Sequence, residues 1–398
     1  MLLADGRYDP QWGDQETKGD AISIRLPVYA RARRGEEADP QAMDERLVAL
    51  RIPEAFGYDS FITDRQLGME LNDFKSQVLE PHIDAVTAAI SKEALKIMVE
   101  QVSNFVGTPG VIPTSYDTYQ DAHRLLTQGG TPQGFGKRNL LVNAAMDQQA
   151  VKAGRLLYNA QEVISMQMHS GTMVAAGNVG YVGGATWYEE EALFQHTVGA
   201  LGAAGVTPRV NGANQVGNSI ITDGWNVSVT GLLKKNDKLQ FGGSFMVHPV
   251  LGTVYTDLTP FTVAADVNSD GGGNATITLT ESIEFGTPYA NVSAPLADNA
   301  LISVWGQAAG AAQANISGLS FTLGVMFEKS ALVYASPDLV LPGDVDKMSG
   351  RTRSKQMKIG MRIWRASDVN KGRVITRLDV LCGHLVGQPR KAVLVCSQ

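Results

Sequence analysis

Cysteine is almost missing from this chain: 398 residues carry two thiols, Cys382 and Cys396, both near one end. Two such cysteines cannot frame a fold of this size, which excludes a disulfide-built secreted scaffold and indicates a reducing compartment. A continuous apolar stretch of about 18 residues is also missing, as is a charged start followed by an apolar core, so the sequence offers neither a membrane span nor a secretory leader. Basic excess is absent too. The net charge of -6 excludes a free nucleic-acid-binding module, whose footprint is a basic domain.

Catalytic and cofactor patterns are equally scarce. The histidines (His82, His123, His169, His196, His248, His384) are scattered, with no pair at metal-ligand spacing on one helix. GGTPQGFGKR (129–138) comes nearest to a phosphate loop, but Thr131 stands where the pattern needs glycine and Arg138 where it needs Ser or Thr after Lys137. GALGAAG (199–205) precedes strand signals rather than a helix, and no G-x-S-x-G elbow or C-x-x-C pair occurs. The expectation is a chain with no catalytic residues, no cofactor and no metal.

What is present is a large apolar fraction, 44%, with 42 glycines spread among turns, enough for two to three domains of loop-rich architecture. AISIRLPVYARARR (21–34) and ERLVALRIP (45–53) alternate with the period of half-buried strands around a GEEADP tip, which predicts one long hairpin. Its basic flank, Arg31, Arg33 and Arg34, meets an acidic one, Glu36, Glu37 and Asp39. From Asn72 to Ser103 the period becomes helical, with Asn72 or Asp73 as cap, Pro81 as a kink or early break, and Lys96 with Glu100 as an outer-face pair. A short helix with Ser115 or Asp117 as cap, a buried strand NLLVN and the helix AAMDQQAVKAGRLL follow.

Between about 205 and 310 charge thins out and Thr, Ser, Val, Asn and Gly dominate. SIITDGW, NVSVTGLL, DKLQFGG, PFTVAADV, ATITLTES and ALISVW read as about six strands, and DVNSDGGGNATI reads as a hairpin around an Asp-Gly turn. Around VTGLLKKNDKLQFGG (229–243), Val227, Val229, Leu239 and Phe241 alternate towards a core. KKND turns the chain, with Asn236 or Asp237 able to take the left-handed conformation and Lys234, Lys235 and Lys238 projecting outwards. MFEKSALVYASPDLVLP reads as a short helix running into an extended stretch, and three strand signals close the chain. From Lys347 to Arg377 ten basic residues, Arg351, Arg353 and Lys355 among them, face a single acid, Asp368; pairing with acids of a neighbouring subunit is the favoured reading over a solvated face or phosphate contact.

The order of these elements, with the strings IRLPVYARARRG, FITDRQLGMELNDFKSQVLEP, NFVGTPGVIPTSYDTYQDAHRLL, SIITDGWNVSVTGLLKKNDKLQFGG, FTVAADVNSDGGGNATITL, YANVSAPLADNALISV and RLDVLCGHLVGQP, resembles the major capsid proteins of tailed bacteriophages. Within that group, which has the Hong Kong ninety-seven-type shell fold, it is similar to the coat proteins of short-tailed Salmonella-type phages. The resemblance implies an α+β fold with an N-terminal arm (1–20), an extension-loop hairpin (21–56), a peripheral domain with a spine helix (57–107), an axial domain (108–204 and 311–340), an inserted all-β barrel (205–310) and C-terminal strands returning to the peripheral domain (341–398). Relatives carry a helical segment before the sequence corresponding to GRYDPQWGD, so a shortened arm is expected. It further implies self-assembly into hexamers and pentamers, a scaffolding protein during assembly, a portal at one vertex, weak non-specific contact with packaged DNA, no membrane partner, and a place in the virion capsid after assembly in the bacterial host cytoplasm. Candidate intersubunit contacts are Arg31, Arg33, Arg34, Glu36, Glu37, Asp39, Lys234, Lys235, Lys238, Arg351, Arg353 and Lys355. The alternative is a β-rich phage decoration or attachment protein, suggested by the Thr/Asn-rich insertion.

Overall fold

A computed structural model describes residues 4–5, 21–26, 36, 46–52, 55–63, 80–131, 137–157, 178–182, 184–202, 205–287, 289–339, 349–354, 359–368, 370–371 and 373–398. Strands β1 (Ala21–Arg25), β2 (Leu47–Arg51) and β3 (Phe56–Thr63) precede a long helix, α1 (Glu80–Gln101). Then come β4 (Phe105–Val106), α2 (Asp117–Gln128), β5 (Arg138–Val142), α3 (Ala144–Leu157), β6 (Asn178–Val182), β7 (Ala185–Glu189) and β8 (Gln195–Thr197). Six strands occupy the glycine- and threonine-rich stretch: β9 (Arg209–Val210), β10 (Gly217–Asp223), β11 (Lys238–Val247), β12 (Val254–Thr262), β13 (Ala275–Ile283) and β14 (Ile302–Val304). The chain continues through α4 (Ala311–Asn315), β15 (Ser320–Glu328), β16 (Leu332–Ala335), β17 (Gly350–Arg353), β18 (Gly360–Asp368), β19 (Arg373–Val380), β20 (Gly383–Val386) and β21 (Ala392–Cys396). The fold class is α+β, as expected.

The chain divides into two compact units. In the first (1–26, 46–97, 332–387) the base of the predicted hairpin is present: β1 and β2 pair antiparallel from Ala21↔Arg51 to Arg25↔Leu47, a register symmetric about residue 36. Ile24 and Leu50 point from that ladder into a small core with Val333, Ala335 and Leu385. β17, β18, β19 and β3 form an antiparallel sheet in which β19 pairs with β3, whereas the last strand, β21, joins β15 and β4. Its apolar side, Phe56, Met361, Ile363, Leu378 and Val380, packs on Ile83, Val86 and Ile90 of α1. Asn72 and Asp73 lie outside the described residues, and Pro81 sits in the first turn of α1, where its missing N–H costs nothing. Lys96 pairs with Glu93 at 3.4 Å, not with Glu100.

The second unit (27–45, 98–331, 388–398) carries two bodies of sheet. One is a seven-stranded mixed sheet in which β15 lies between β21 and β5, with the order continuing to β7 and β6. Leu140, Val142, Met326, Val393 and Val395 from this sheet and Tyr119, Ala122, Leu125 and Leu126 of α2 share one core. α2 has no side-chain cap bond from Tyr116, but Ser115 Oγ accepts from the Asp117 amide at 3.3 Å.

The other body is the insertion. Its ladders run β13-β10-β9 and β12-β11-β14, and two single bridges join them: Arg209↔Leu301 links β9 to β14, and Val263↔Leu279 links the end of β12 to β13. Amide bonds seal both seams, Val210 N to Ala300 O and Ile302 N to Pro208 O at 3.0 Å, and Ala264 N to Thr278 O at 2.8 Å. Six strands therefore close into a ring, which removes free edges. Inside lie Val210, Ile220, Leu239, Phe241, Phe261, Ile277 and Ile302, all fully buried.

Two sequence expectations fail here and a third holds only around its turn. NVSVTGLL forms turns, with Val227 61% exposed and Ser228 at φ 55 and Gly231 at φ 68 breaking the extended run. DVNSDGGGNATI does turn at Asp270, whose amide donates to Asn274 O at 3.0 Å, and its arms meet in the bridge Val263↔Leu279, but the ladder of β13 is made with the earlier β10, and Val267 before the turn bridges Leu233 instead. MFEKSALVY contains no helix; its ends belong to β15 and β16, and the short helix is α4 instead.

Candidate assembly surface and a buried lysine node

Residues two apart on a strand share a face. Opposite the apolar side of the β17-β18-β19-β3 sheet, the register therefore lines up Arg351, Arg362 and Asp379 in one row, Trp364, Arg377 and Asp59 in the next, then Ala366, Ile375 and Phe61, then Asp368 and Arg373. Phe61 is 61% exposed and Ile375 is also exposed. The Arg373 guanidinium lies 5.2 Å from the Phe61 ring centre and that of Arg362 lies 5.7 Å from Trp364. Aromatic and aliphatic groups ringed by arginine–aspartate pairs have the make-up of a protein-contact surface.

Most of this charge is matched within the chain. Arg362 and Arg377 share Asp379, Arg373 pairs with Asp368 at 3.2 Å, and Arg353 pairs with Asp338 at 2.8 Å. Arg353, opposite Gly360, reaches Asp338, an acid outside the run, while remaining partly exposed. Arg351 is exposed and has no acidic partner among the described residues. Arg31, Arg33, Arg34, Glu37, Asp39 and Lys355 lie outside the described residues; Glu36 is exposed.

The three loop lysines part ways. Lys234 and Lys235 are exposed, and Lys235 Nζ donates to Glu100 Oε1 at 2.8 Å. Lys238, expected to project outwards as an intersubunit charge, is fully buried. Its ammonium donates to Val99 O at 2.7 Å and to Thr262 Oγ1 at 2.8 Å, 6.0 Å from the Trp305 ring centre. Burial pushes this lysine down to about 7, against the pull of Asp237, Cys396 and Glu100. Asn236 takes the left-handed conformation, φ 79, as its residue type allows.

Next to it, Asp237 is fully buried and its carboxylate accepts four bonds: His196 Nε2 at 2.8 Å and Trp305 Nε1 at 3.1 Å on Oδ1, the amides of Lys234 at 2.8 Å and Gly199 at 3.1 Å on Oδ2. A carboxylate with both oxygens doubly bonded is held rigid and leaves no position for a substrate. Sequence reasoning missed this node because charge alone places a lysine at the surface, and its partner, a helix carbonyl 139 residues away, leaves no local signal. Arg138 of the glycine-rich loop is likewise buried, bonded to His123 Nδ1 and to Thr131 O, both at 3.0 Å, so it is a structural cation. Both thiols are buried: Cys382 is pushed up to about 12 by desolvation, and Cys396 is held above the usual thiol range for the same reason. Among the described residues no group of three His, Cys, Asp or Glu could hold a metal ion, and no helix is long and apolar enough to cross a membrane.

The family described as P22 coat protein, gene protein 5, matches residues 4–394, nearly the whole chain. The chain belongs to the P22 coat protein family. As a member of that family it is a phage major capsid protein, a structural subunit that assembles with its own kind into the virion shell. The alternative of a decoration or attachment protein gives way to that membership. No individual curated protein matches the chain in sequence. Among solved structures, this P22-family chain is similar to one from Mycobacterium phage Che8 (13% identity, 99% of this chain and 89% of that one, TM-score 0.46). It is also similar to the capsids of cyanophage Pam1 (9%, 99% and 88%, 0.46) and cyanophage P-SCSP1u (12%, 100% and 86%, 0.41).

Proposed function

We propose that this coat subunit builds hexamers and pentamers of an icosahedral shell around the double-stranded DNA genome of a tailed phage, and that the arginine–aromatic face of the β17-β18-β19-β3 sheet is one of its intersubunit contacts. The observation that carries the contact is the open face itself, where Phe61 and Ile375 remain exposed amid paired charges. The charged hairpin residues Arg31, Arg33, Arg34, Glu36, Glu37 and Asp39, the loop lysines Lys234 and Lys235, and Arg351 and Lys355 belong to the same proposal as rim contacts; Lys238 does not, being buried. Many weak contacts then add up, because each subunit is held on several sides. A scaffolding protein during assembly, a portal at one vertex, weak sequence-independent contact with packaged DNA, and assembly in the bacterial host cytoplasm complete the reading. It includes no catalysis and no cofactor.

Electron microscopy of the purified chain, with and without co-expressed scaffold, tests it. The unaltered chain is expected to form closed shells, whereas Phe61→Ser and Arg351→Glu are expected to stay folded by circular dichroism and to form fewer or no shells. Shells of normal yield from both variants would remove this face from the contact set. A stable monomer under every condition would count against the assembly reading itself.

A further inference from the structure

The last carbonyls of a helix have no amide partner within it, and its C-terminus favours a cation. α1 has no basic residue in its last turn. A donor comes instead from the start of β11, where Lys238 Nζ donates to Val99 O at 2.7 Å and to Thr262 Oγ1 at 2.8 Å. The Thr262 hydroxyl lies 3.0 Å from Ser103 Oγ, so the first residues after the helix are held by the same cluster. At the exposed rim Lys235 ties to Glu100 at 2.8 Å. On the other side Asp237 gathers His196, Gly199, Lys234 and Trp305. Two consecutive residues of the insertion thus grip different parts of the second unit.

We propose that Asp237 and Lys238 form a latch that fixes the last turn of α1 to the inserted barrel, so that residues 98–103 are ordered only while the barrel is folded. The titratable and charged groups facing Lys238 are Asp237, the residue before β11, Glu100 from α1 and Cys396 from β21. An open latch returns Lys238 to the ordinary value of 10.5, whereas the closed latch holds it at about 7. The open state therefore binds more protons between those values, so closure strengthens as pH rises from about 7 towards 10 and is independent of this group below about 7.

Hydrogen–deuterium exchange of the full-length chain tests the latch. Lys238→Met removes the charge and keeps the length; exchange at the amides of residues 98–103 is expected to rise about tenfold or more, the amides of α2 being unchanged. A uniform rise across the chain would make Lys238 an ordinary core residue and overturn the proposal, as would no rise at all. Should Lys238→Met fail to fold, Thr262→Val removes the hydroxyl that meets both Lys238 Nζ and Ser103 Oγ while keeping the side-chain shape. A rise of about threefold or more confined to the same amides supports the latch, and no rise overturns it. For the proton linkage, the unfolding constant of the unaltered chain between pH 7 and 9 is expected to change by up to about tenfold per pH unit more than that of Lys238→Met, and equal slopes overturn it.

Discussion

Asp270 fixes the tip of the DGGGN turn through both oxygens: its Oδ1 accepts the amides of Gly272 and Asn274, both at 2.8 Å, and its Oδ2 accepts from Asn274 Nδ2 at 2.9 Å. The glycines that follow look equivalent in sequence and are not equivalent in space. A methyl group on Gly271 meets nothing within 4 Å, whereas Gly273 has φ +76 and its added carbon would sit 2.4 Å from Trp225 O. Gly271→Ala is expected to leave the urea midpoint unchanged or slightly raised, and Gly273→Ala to lower stability by about 1–3 kcal/mol. Equal effects at the two positions would refute this reading of the turn. The buried histidines set the acid limit. His123, held at about 4 by burial and then by the Arg138 guanidinium, and His384, held at about 4 by burial, stay neutral in the folded chain. Unfolded imidazoles take up protons near 6.5, so the unfolded state binds more protons between about 6.5 and 4, and stability present above that window is lost as pH falls through it. Urea titrations at a series of pH values are expected to show a falling midpoint over this range, with a shallower fall in His123→Gln.

At the scale of elements, the ring of six strands depends on its inward stripe more than on its two single-bridge seams. Phe241 and Phe261 lie diagonally on the neighbouring strands β11 and β12 with ring centres 5.9 Å apart, both fully buried. Phe261→Ala is expected to cost about 3–5 kcal/mol and to loosen the barrel, read as increased exchange in β10 to β14 together with a change in the fluorescence of Trp225 and Trp305. Loss confined to the β12 strand alone would argue that the ring is not one cooperative body. Legibility in the sequence followed the same division. ATITLTES shows its alternation directly, buried Ala275, Ile277 and Leu279 against exposed Thr276 and Thr278, and AAMDQQAVKAGRLL is α3 residue for residue. NVSVTGLL has the same local pattern yet turns, because left-handed residues outweigh alternation when no neighbouring strand is there to pair. Ring closure was half readable: the Val263–Leu279 seam straddles the Asp-Gly turn that the sequence marks, whereas the Arg209–Leu301 seam joins residues far apart in the chain, carries no local mark and was readable only from resemblance. The arginine–aromatic face was half legible. The basic run was plain, but which acids neutralise it depended on strand register, which a one-residue slip would have reversed.

For the whole molecule, the balance of forces sets how a shell of such subunits should respond to solvent. The exposed pairs on the sheet face are each worth up to about 1 kcal/mol, and salt near 1 M shortens the screening length to about 3 Å. Apolar and strand contacts are not weakened by salt. Shells, once formed, are therefore expected to persist from about 0.1 to 1 M sodium chloride, as followed by light scattering, while the rate of assembly falls with salt because long-range attraction guides encounter. Dissociation at high salt would shift the weight to ion pairs. The two sequestered thiols carry a different, practical consequence. Since both are shut away and held in the protonated form, a third cysteine placed on an exposed position such as Ile221 or Leu251 would be the one that maleimides reach. The subunit is in effect already a cysteine-free background for attaching dyes, spin labels or cargo at a chosen point.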